Sequence, residues 1–521
     1  MSVRRIRYPI ATASFSKIRE EGSVYVDKTG YVHELSQGAP YYFLARPRRF
    51  GKSLFLDTLK EYFTGNRKLF KGLAIDRLQP GEWEQYPVIR LDLSGDSYSS
   101  RESLECKLSN ILSDYEEQLG ILNPPSKVNL RFENIIKANA RQSGKKVVIL
   151  IDEYDSPLTT AIDKPELHEK FRDELRGFYS VLKLSEAYIR FCMLTGVTRY
   201  GRVSVFSGLN NLEDITFDDE FAGICGVTET ELHQYYDEGI AIFAENLAVT
   251  KEEAYGRLKN YYDGYHFTEC LLDVYNPFSL NHALNKNKIR DYWCESGSPS
   301  VFIKLLMKMD YDIDKLNGST VSEKRLSSNC AFTSDPKPLF FQTGYLTLKA
   351  YNPERQSFTL GFPNREVESG ILYNVLEVYN PGEDDAPETL ADLKASLAEG
   401  KPEAFVEYLR DYFSKIPISI KSRISKYENY YQSVIYCLLS LLGLETNAEY
   451  ATGAGYIDLL VKTPEYIYVI ELKLNGTASD AMRQIDDKGY CEPFTSDRRR
   501  LYRIALGFSK QTQSIDGWQI K

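Results

Sequence analysis

Residues 41–59 leave this chain few folds to choose from. Five apolar residues, Tyr41, Tyr42, Phe43, Leu44 and Ala45, are followed by Arg46, Pro47, Arg48, Arg49 and Phe50, then by Gly51, Lys52 and Ser53, and then by an amphipathic run to Leu59. The pattern predicts a strand, a tight turn and a helix. A turn of that kind gathers free backbone N–H groups and the positive end of the helix dipole, which attract anionic oxygens. In that setting Lys52 reaches the β- and γ-phosphates of a nucleotide and the hydroxyl of Ser53 holds Mg2+. The pattern G-x-x-x-x-G-K-[ST] asks for glycine at position 46, where the backbone turns sharply, and this chain has Arg46. Taken alone, Gly-Lys-Ser is equally compatible with an accidental tripeptide in a surface turn.

A second segment weighs against accident. Residues 147–151 are apolar and mostly β-branched, and they end in Asp152 and Glu153. This describes a buried parallel strand with an acidic C-terminal edge. Asp152 is placed to hold Mg2+, often through water, and Glu153 to orient or deprotonate an attacking water. A third strand, residues 188–194, ends in Thr195, with Arg199 shortly after. Thr195 would sense the γ-phosphate there, and Arg199 would stabilise phosphoryl charge in this subunit or a neighbouring copy. The plainer readings are a strand-end turn residue and a solvated surface charge. Residues 86–94 supply a further strand for the same sheet, ending at Asp92.

Together these residues resemble the AAA-ATPase-like family of bacterial and archaeal P-loop proteins, over residues 8 to 225 or so. The resemblance is carried by Tyr25-Val-Asp-Lys-Thr29, Arg46-Pro-Arg-Arg-Phe-Gly-Lys-Ser53, Ile151-Asp-Glu-Tyr-Asp155 and Leu194-Thr-Gly-Val197. The family's own loop has arginine where this chain has Arg46. The resemblance implies ATP and Mg2+ as ligands and a five-stranded parallel core of the ASCE type. It makes Arg48, Arg49, Phe50, Gly51, Lys52, Ser53 and Leu54, with Asp152, Thr195 and Arg199, the expected nucleotide contacts.

The other end of the chain carries a separate signal. A glycine turn at Gly453 and Gly455 enters an apolar run containing Asp458, and after Thr463, Pro464 and Glu465 a second run leads into Glu471, Leu472 and Lys473. This predicts a β-hairpin with Asp458 near Glu471 and Lys473. Period-two alternation puts Glu471 and Lys473 on one face and Leu472 on the other. Two carboxylates and an ammonium at a sheet edge make an oxygen-rich site for Mg2+ or Mn2+, with the lysine placed to position or activate a water. Helices on either side bring Gln484 and Glu428 toward the same edge, Glu428 as a further metal ligand. The plainer reading is an exposed strand end with a cross-strand charge pair.

From residue 425 onward the chain resembles the PD-(D/E)XK nuclease superfamily, in the branch fused to AAA-ATPase-like domains. The resemblance places the catalytic acid at Asp458, the E-x-K at Glu471 and Lys473, and the helix glutamine at Gln484. Two departures stand out: Gly455-Tyr456 where Gly-Arg is frequent, and Gln432 where histidine is frequent.

At 521 residues the chain exceeds one core. The expected divisions are a P-loop domain over 1–225, a helical lid over 226–330, a winged-helix-like element and linker over 331–424, and a nuclease-like domain over 425–521. Residues 339–348 and 358–362 predict the hairpin of that third element, and the acidic stretch 380–387 predicts the linker. No run is long enough to span a bilayer and the start lacks a signal-peptide core, so a cytoplasmic protein is expected. The eight cysteines show no metal-ligand spacing. A net charge of −9 excludes a globally basic nucleic-acid binder and leaves only local patches, such as 498–500, for DNA or RNA. The expected function is Mg2+-ATP hydrolysis coupled to metal-dependent phosphodiester cleavage, in a protein that works alone or as a homo-oligomer. The alternative is an ATP-controlled switch whose nuclease-like fold only binds a partner, and a third reading is an ATPase that remodels proteins.

Overall fold

Strand-forming runs that are apolar on every position need cover on both faces, and the fold of the first half follows from that. In the computed structural model, which describes residues 6–10, 12–199, 205–206, 209, 211–295, 302–303, 305–306, 309, 311, 313–326, 335–379, 386–416, 428–474, 476–509 and 514–521, the chain divides into two units. The first comprises residues 1–296 and 318–367, the second 297–317 and 368–521.

The first unit is built on β1 (Tyr41–Ala45), β2 (Val88–Asp92), β3 (Val147–Asp152), β4 (Ile189–Gly196) and β5 (Glu213–Asp214), in the order β2-β3-β4-β1-β5 and all parallel. This is the expected five-stranded P-loop core. Its register aligns Asp92 with Asp152 and Ala45 with Gly196, so the candidate residues share one C-terminal edge. The helices Arg101–Leu119, Val128–Ser143 and Pro165–Leu184 pack together on this core, with Phe132 stacked on Phe178 at 4.9 Å. Ser100 begins the first of them with a reciprocal capping box, which satisfies N–H groups that a helix start otherwise leaves open.

The same unit carries a helical layer of Glu229–Leu247, Lys251–Tyr262 and Pro277–Lys286 around a core of Leu232, Tyr236, Phe243, Leu258 and Leu280. The N-terminal segment lies on it, with Tyr8 stacked on Tyr236 and the Pro9 carbonyl accepting from Asn281. A strand pair and a three-stranded sheet complete the unit: β6 (Val227–Thr228) with β7 (Val274–Tyr275), and β8 (Thr320–Ser322) beside a hairpin of β9 (Thr347–Asn352) and β10 (Ser357–Gly361). The predicted hairpin is present from residue 347, whereas Lys337–Thr343 is helical. Pro338 starts that helix and Gly344, at φ 89°, ends it. A Cβ at Gly344 would stand 2.6 Å from Pro47, so the glycine also lets the loop after β1 approach.

The second unit is a mixed sheet in chain order, β11 (Glu445–Thr452), β12 (Gly455–Lys462), β13 (Tyr466–Leu474), β14 (Arg500–Ser509) and β15 (Ser514–Ile520). β12 and β13 form the predicted antiparallel hairpin. β13 and β14 are parallel and joined through helix Ala478–Asp487, whose Ala481, Met482 and Ile485 bury against Leu460, Ile467 and Val469. Helices Pro402–Lys415 and Glu428–Leu441 contribute Phe413 and Tyr431, which pack on Phe508. Tyr468 donates to the Leu397 carbonyl at 2.6 Å, tying the segment before residue 425 to this sheet. Residues 380–385 of the predicted linker lie outside the described residues. Among the described residues no helix is long and apolar enough to cross a membrane.

Candidate functional site

Two groups of residues suited to phosphate chemistry lie in the two units. In the first unit the loop after β1 turns through Arg49 at φ 70° and Gly51 at φ 102° before helix Lys52–Phe63 begins. Gly51 takes the left-handed conformation at no steric cost, while Arg49 is held there by context. Lys52 is buried at 3% exposure, and its Nζ donates to the Arg46 and Pro47 carbonyls at 3.0 and 3.1 Å. The same Nζ lies 3.5 Å from Glu153. Ser53 follows in the first helical turn.

The arginines of the loop divide by environment. Arg46 is buried. It donates to the carbonyls of Ala45, Thr216 and Phe221 and stacks on Phe267 at 4.5 Å. Burial lowers its pKa to about 10. It therefore replaces the expected glycine as an anchor of the loop, a role its position in the sequence does not reveal. Arg48 and Arg49 are exposed. The Arg48 carbonyl accepts from Trp293 at 3.0 Å, and the Arg49 guanidinium lies 5.0 Å above Phe278. Phe50 is wedged between Tyr265 and Phe267.

At the end of β3, Asp152 is buried and accepts from Thr195 at 2.9 Å and from Arg90 at 3.4 Å. Glu153 adopts φ 51°, a costly conformation for a residue with a Cβ and one that recurs where function demands it. Burial raises its pKa, and Lys52 opposes that shift. Asp155, also buried, accepts from the Val197 and Thr198 backbone N–H groups and from the Thr198 hydroxyl, locking the turn after β3 to the turn after β4. Lys52, Asp152, Glu153 and Thr195 thus converge. Arg199 does not join them through any described contact: its guanidinium pairs with Asp214 and lies over Phe217 at 4.7 Å. Asp92 is exposed and accepts from Ser94.

Beside Gly51 and Leu54 opens a largely apolar cavity of about 80 Å³, lined by Pro9, Val24, Val26, Phe55, Tyr236 and Asn281 among others. Its walls come from segments far apart in sequence, and for that reason no local motif announces it. A cavity of this character at the start of the helix suits a flat heteroaromatic ring. His266 takes no part in it: its ring bonds the Leu348 carbonyl and Asp273.

In the second unit, Asp458 on β12 accepts from the Leu472 N–H at 2.7 Å, and Lys473 donates to Glu471 at 3.1 Å. Glu471 is fully buried and its Oε2 has no hydrogen-bond partner among the described residues. Burial, and then the charge of Asp458, push its pKa up to about 7. Gln484 donates to the Tyr490 hydroxyl at 3.3 Å, and Gln432 donates to the Asp458 carbonyl at 3.3 Å. Glu428 opens its helix, but its side chain lies outside the described residues. Among the described residues no three His, Cys, Asp or Glu side chains gather as a metal site. Two adjacent carboxylates, one with an unsatisfied buried oxygen, nonetheless fit a hard divalent cation. Of the basic run, Arg499 is held by Asp497, Arg500 lies over Tyr502, and Arg498 is exposed.

Comparison with known proteins matches residues 9–206 to the family described as predicted AAA-ATPase, and residues 426–518 to the PD-(D/E)XK nuclease superfamily. A protein of Azotobacter chroococcum mcd 1, described as an uncharacterized protein in the vnfD 5' region, is 34% identical over 527 residues, covering 99% of both chains.

Proposed function

This chain belongs to the predicted AAA-ATPase family and carries a C-terminal PD-(D/E)XK nuclease-superfamily domain, and from that premise we propose that it binds and hydrolyses Mg2+-ATP and cleaves phosphodiester bonds of DNA or RNA. The observation that carries the first half is the convergence of Lys52, Asp152, Glu153 and Thr195 on one edge of the sheet. The Lys52 ammonium exchanges its loop carbonyls for phosphate oxygens. Asp152 and Ser53 hold Mg2+, which when bound neutralises phosphate charge. Glu153, with its proton affinity raised by burial, takes the proton of the attacking water. Arg48, Arg49 and Leu54 line the nucleotide's path, and the apolar cavity beside Gly51 takes the base.

In the second unit Asp458 and Glu471 hold Mg2+ or Mn2+, and Lys473 orients the water that attacks the phosphodiester. Gln484 adds a contact at the metal or the attacking water. The proposed setting is cytoplasmic, with ATP occupancy controlling cleavage.

The test of the ATPase half is phosphate release by the purified chain in Mg2+, compared with Glu153→Gln and Lys52→Ala. Turnover lost in both, with ATP binding kept by Glu153→Gln and lost by Lys52→Ala, supports the assignment. Equal turnover in all three would overturn it. A second reading, an ATP-controlled switch that binds without cutting, is favoured by the two-carboxylate count at the second site and by the net charge of −9.

A further inference from the structure

β2 is an apolar strand with a cation in the middle: Val88, Ile89, Arg90, Leu91, Asp92. Ile89 and Leu91 are buried, and Arg90 points the other way, half-buried. Its backbone is pinned on both sides by one hydroxyl, because Tyr115 accepts from the Arg90 N–H at 2.7 Å and donates to the Arg90 carbonyl at 3.0 Å. The guanidinium is divided between two carboxylates. One nitrogen donates to Asp57 at 2.9 Å, and the other to Asp152 at 3.4 Å. Asp57 is buried on helix Lys52–Phe63, where it also accepts from the Phe15 N–H at 2.8 Å and lies 3.6 Å from Lys60. The remaining oxygen of Asp152 is taken by Thr195.

A guanidinium stays charged at any pH the protein meets, so Arg90 brings a permanent positive charge to the carboxylate assigned to Mg2+. In a partly buried setting, a cation there and a dication on the same carboxylate repel strongly. The two distances are unequal, and the shorter one gives Arg90 a partner that does not depend on Asp152. We propose that Arg90 is a positioning residue that competes with Mg2+ for Asp152. It holds the carboxylate before Mg2+-nucleotide binds, and it falls back on Asp57 when the cation arrives. The inference rests on the nucleotide-site reading above, and it adds a built-in threshold for the metal.

The test is Mg2+ titration of the full chain at a fixed concentration of fluorescent ATP analogue, read as bound fluorescence. Arg90→Gln and Arg90→Met, two neutral replacements that keep part of the stem, are expected to lower the half-maximal Mg2+ concentration by about tenfold. Arg90→Lys keeps the charge and should stay near the wild type. Asp57→Asn removes the alternative partner and should move the midpoint upward. Neutral variants that melt like the wild type but need as much Mg2+, or more, would overturn the proposal and leave Arg90 a strut for Asp152. A wild-type chain that binds no nucleotide at any Mg2+ concentration would overturn the nucleotide-site reading as well.

Discussion

Glu366 shows how far burial shifts a carboxyl in this protein. It is fully buried. One oxygen accepts from the Ser279 hydroxyl and the Trp293 N–H, while the other has no hydrogen-bond partner among the described residues. Burial raises its pKa from 4.5 to about 8. A carboxyl that holds its proton more tightly when folded favours the folded state below its unfolded pKa, and that advantage disappears as pH rises through the folded value. The shift from 4.5 to about 8 corresponds to at most about 5 kcal/mol lost between those pH values. Glu366→Gln is therefore expected to melt above the wild type at pH 8.5 and to flatten the dependence of melting temperature on pH between 5 and 8.5. A parallel pair of melting curves would contradict it. Gly196 makes a steric prediction. A Cβ there would stand 2.5 Å from Asp155 and Tyr154, so Gly196→Ala should cost about 1–3 kcal/mol in denaturant unfolding.

At the scale of elements, the parts legible in the sequence are those with a local pattern. The strand, glycine turn and helix at 41–63, the acidic end of β3, and the β12–β13 hairpin with Glu471 and Lys473 on one face can each be read from period and motif. The parts that were not legible depend on partners distant in sequence. Arg46 reads as a departure from a glycine and becomes an anchor only because Thr216 and Phe221 return to it. Leu339 to Thr343 reads as strand because it is apolar, and folds as helix because Pro338 and Gly344 fix its two ends. Arg199 follows a strand that ends at the site, yet its partner Asp214 comes from the next strand. Asp155 belongs to the same class, since it joins two turns through the Val197 and Thr198 N–H groups. Asp155→Ala would leave those donors buried and unpaired, at about 1–3 kcal/mol for each. The expected result is a lower melting temperature and weaker ATP binding together, and loss of neither would contradict the clamp.

For the whole molecule, the proposed function places a nucleotide site in the first unit and a metal-dependent phosphodiester site in the second. A net charge of −9 leaves any nucleic-acid binding to a few local cations, so the proposed binding should weaken only shallowly with salt, in proportion to that small number of phosphate contacts. The most direct measurement is cleavage of single- and double-stranded DNA and RNA by the purified chain in Mg2+ or Mn2+, with and without ATP, beside Asp458→Ala and Lys52→Ala. The expected result is cleavage by the wild type that disappears in Asp458→Ala and loses its ATP response in Lys52→Ala. No cleavage of any substrate, or equal cleavage by Asp458→Ala, would contradict it.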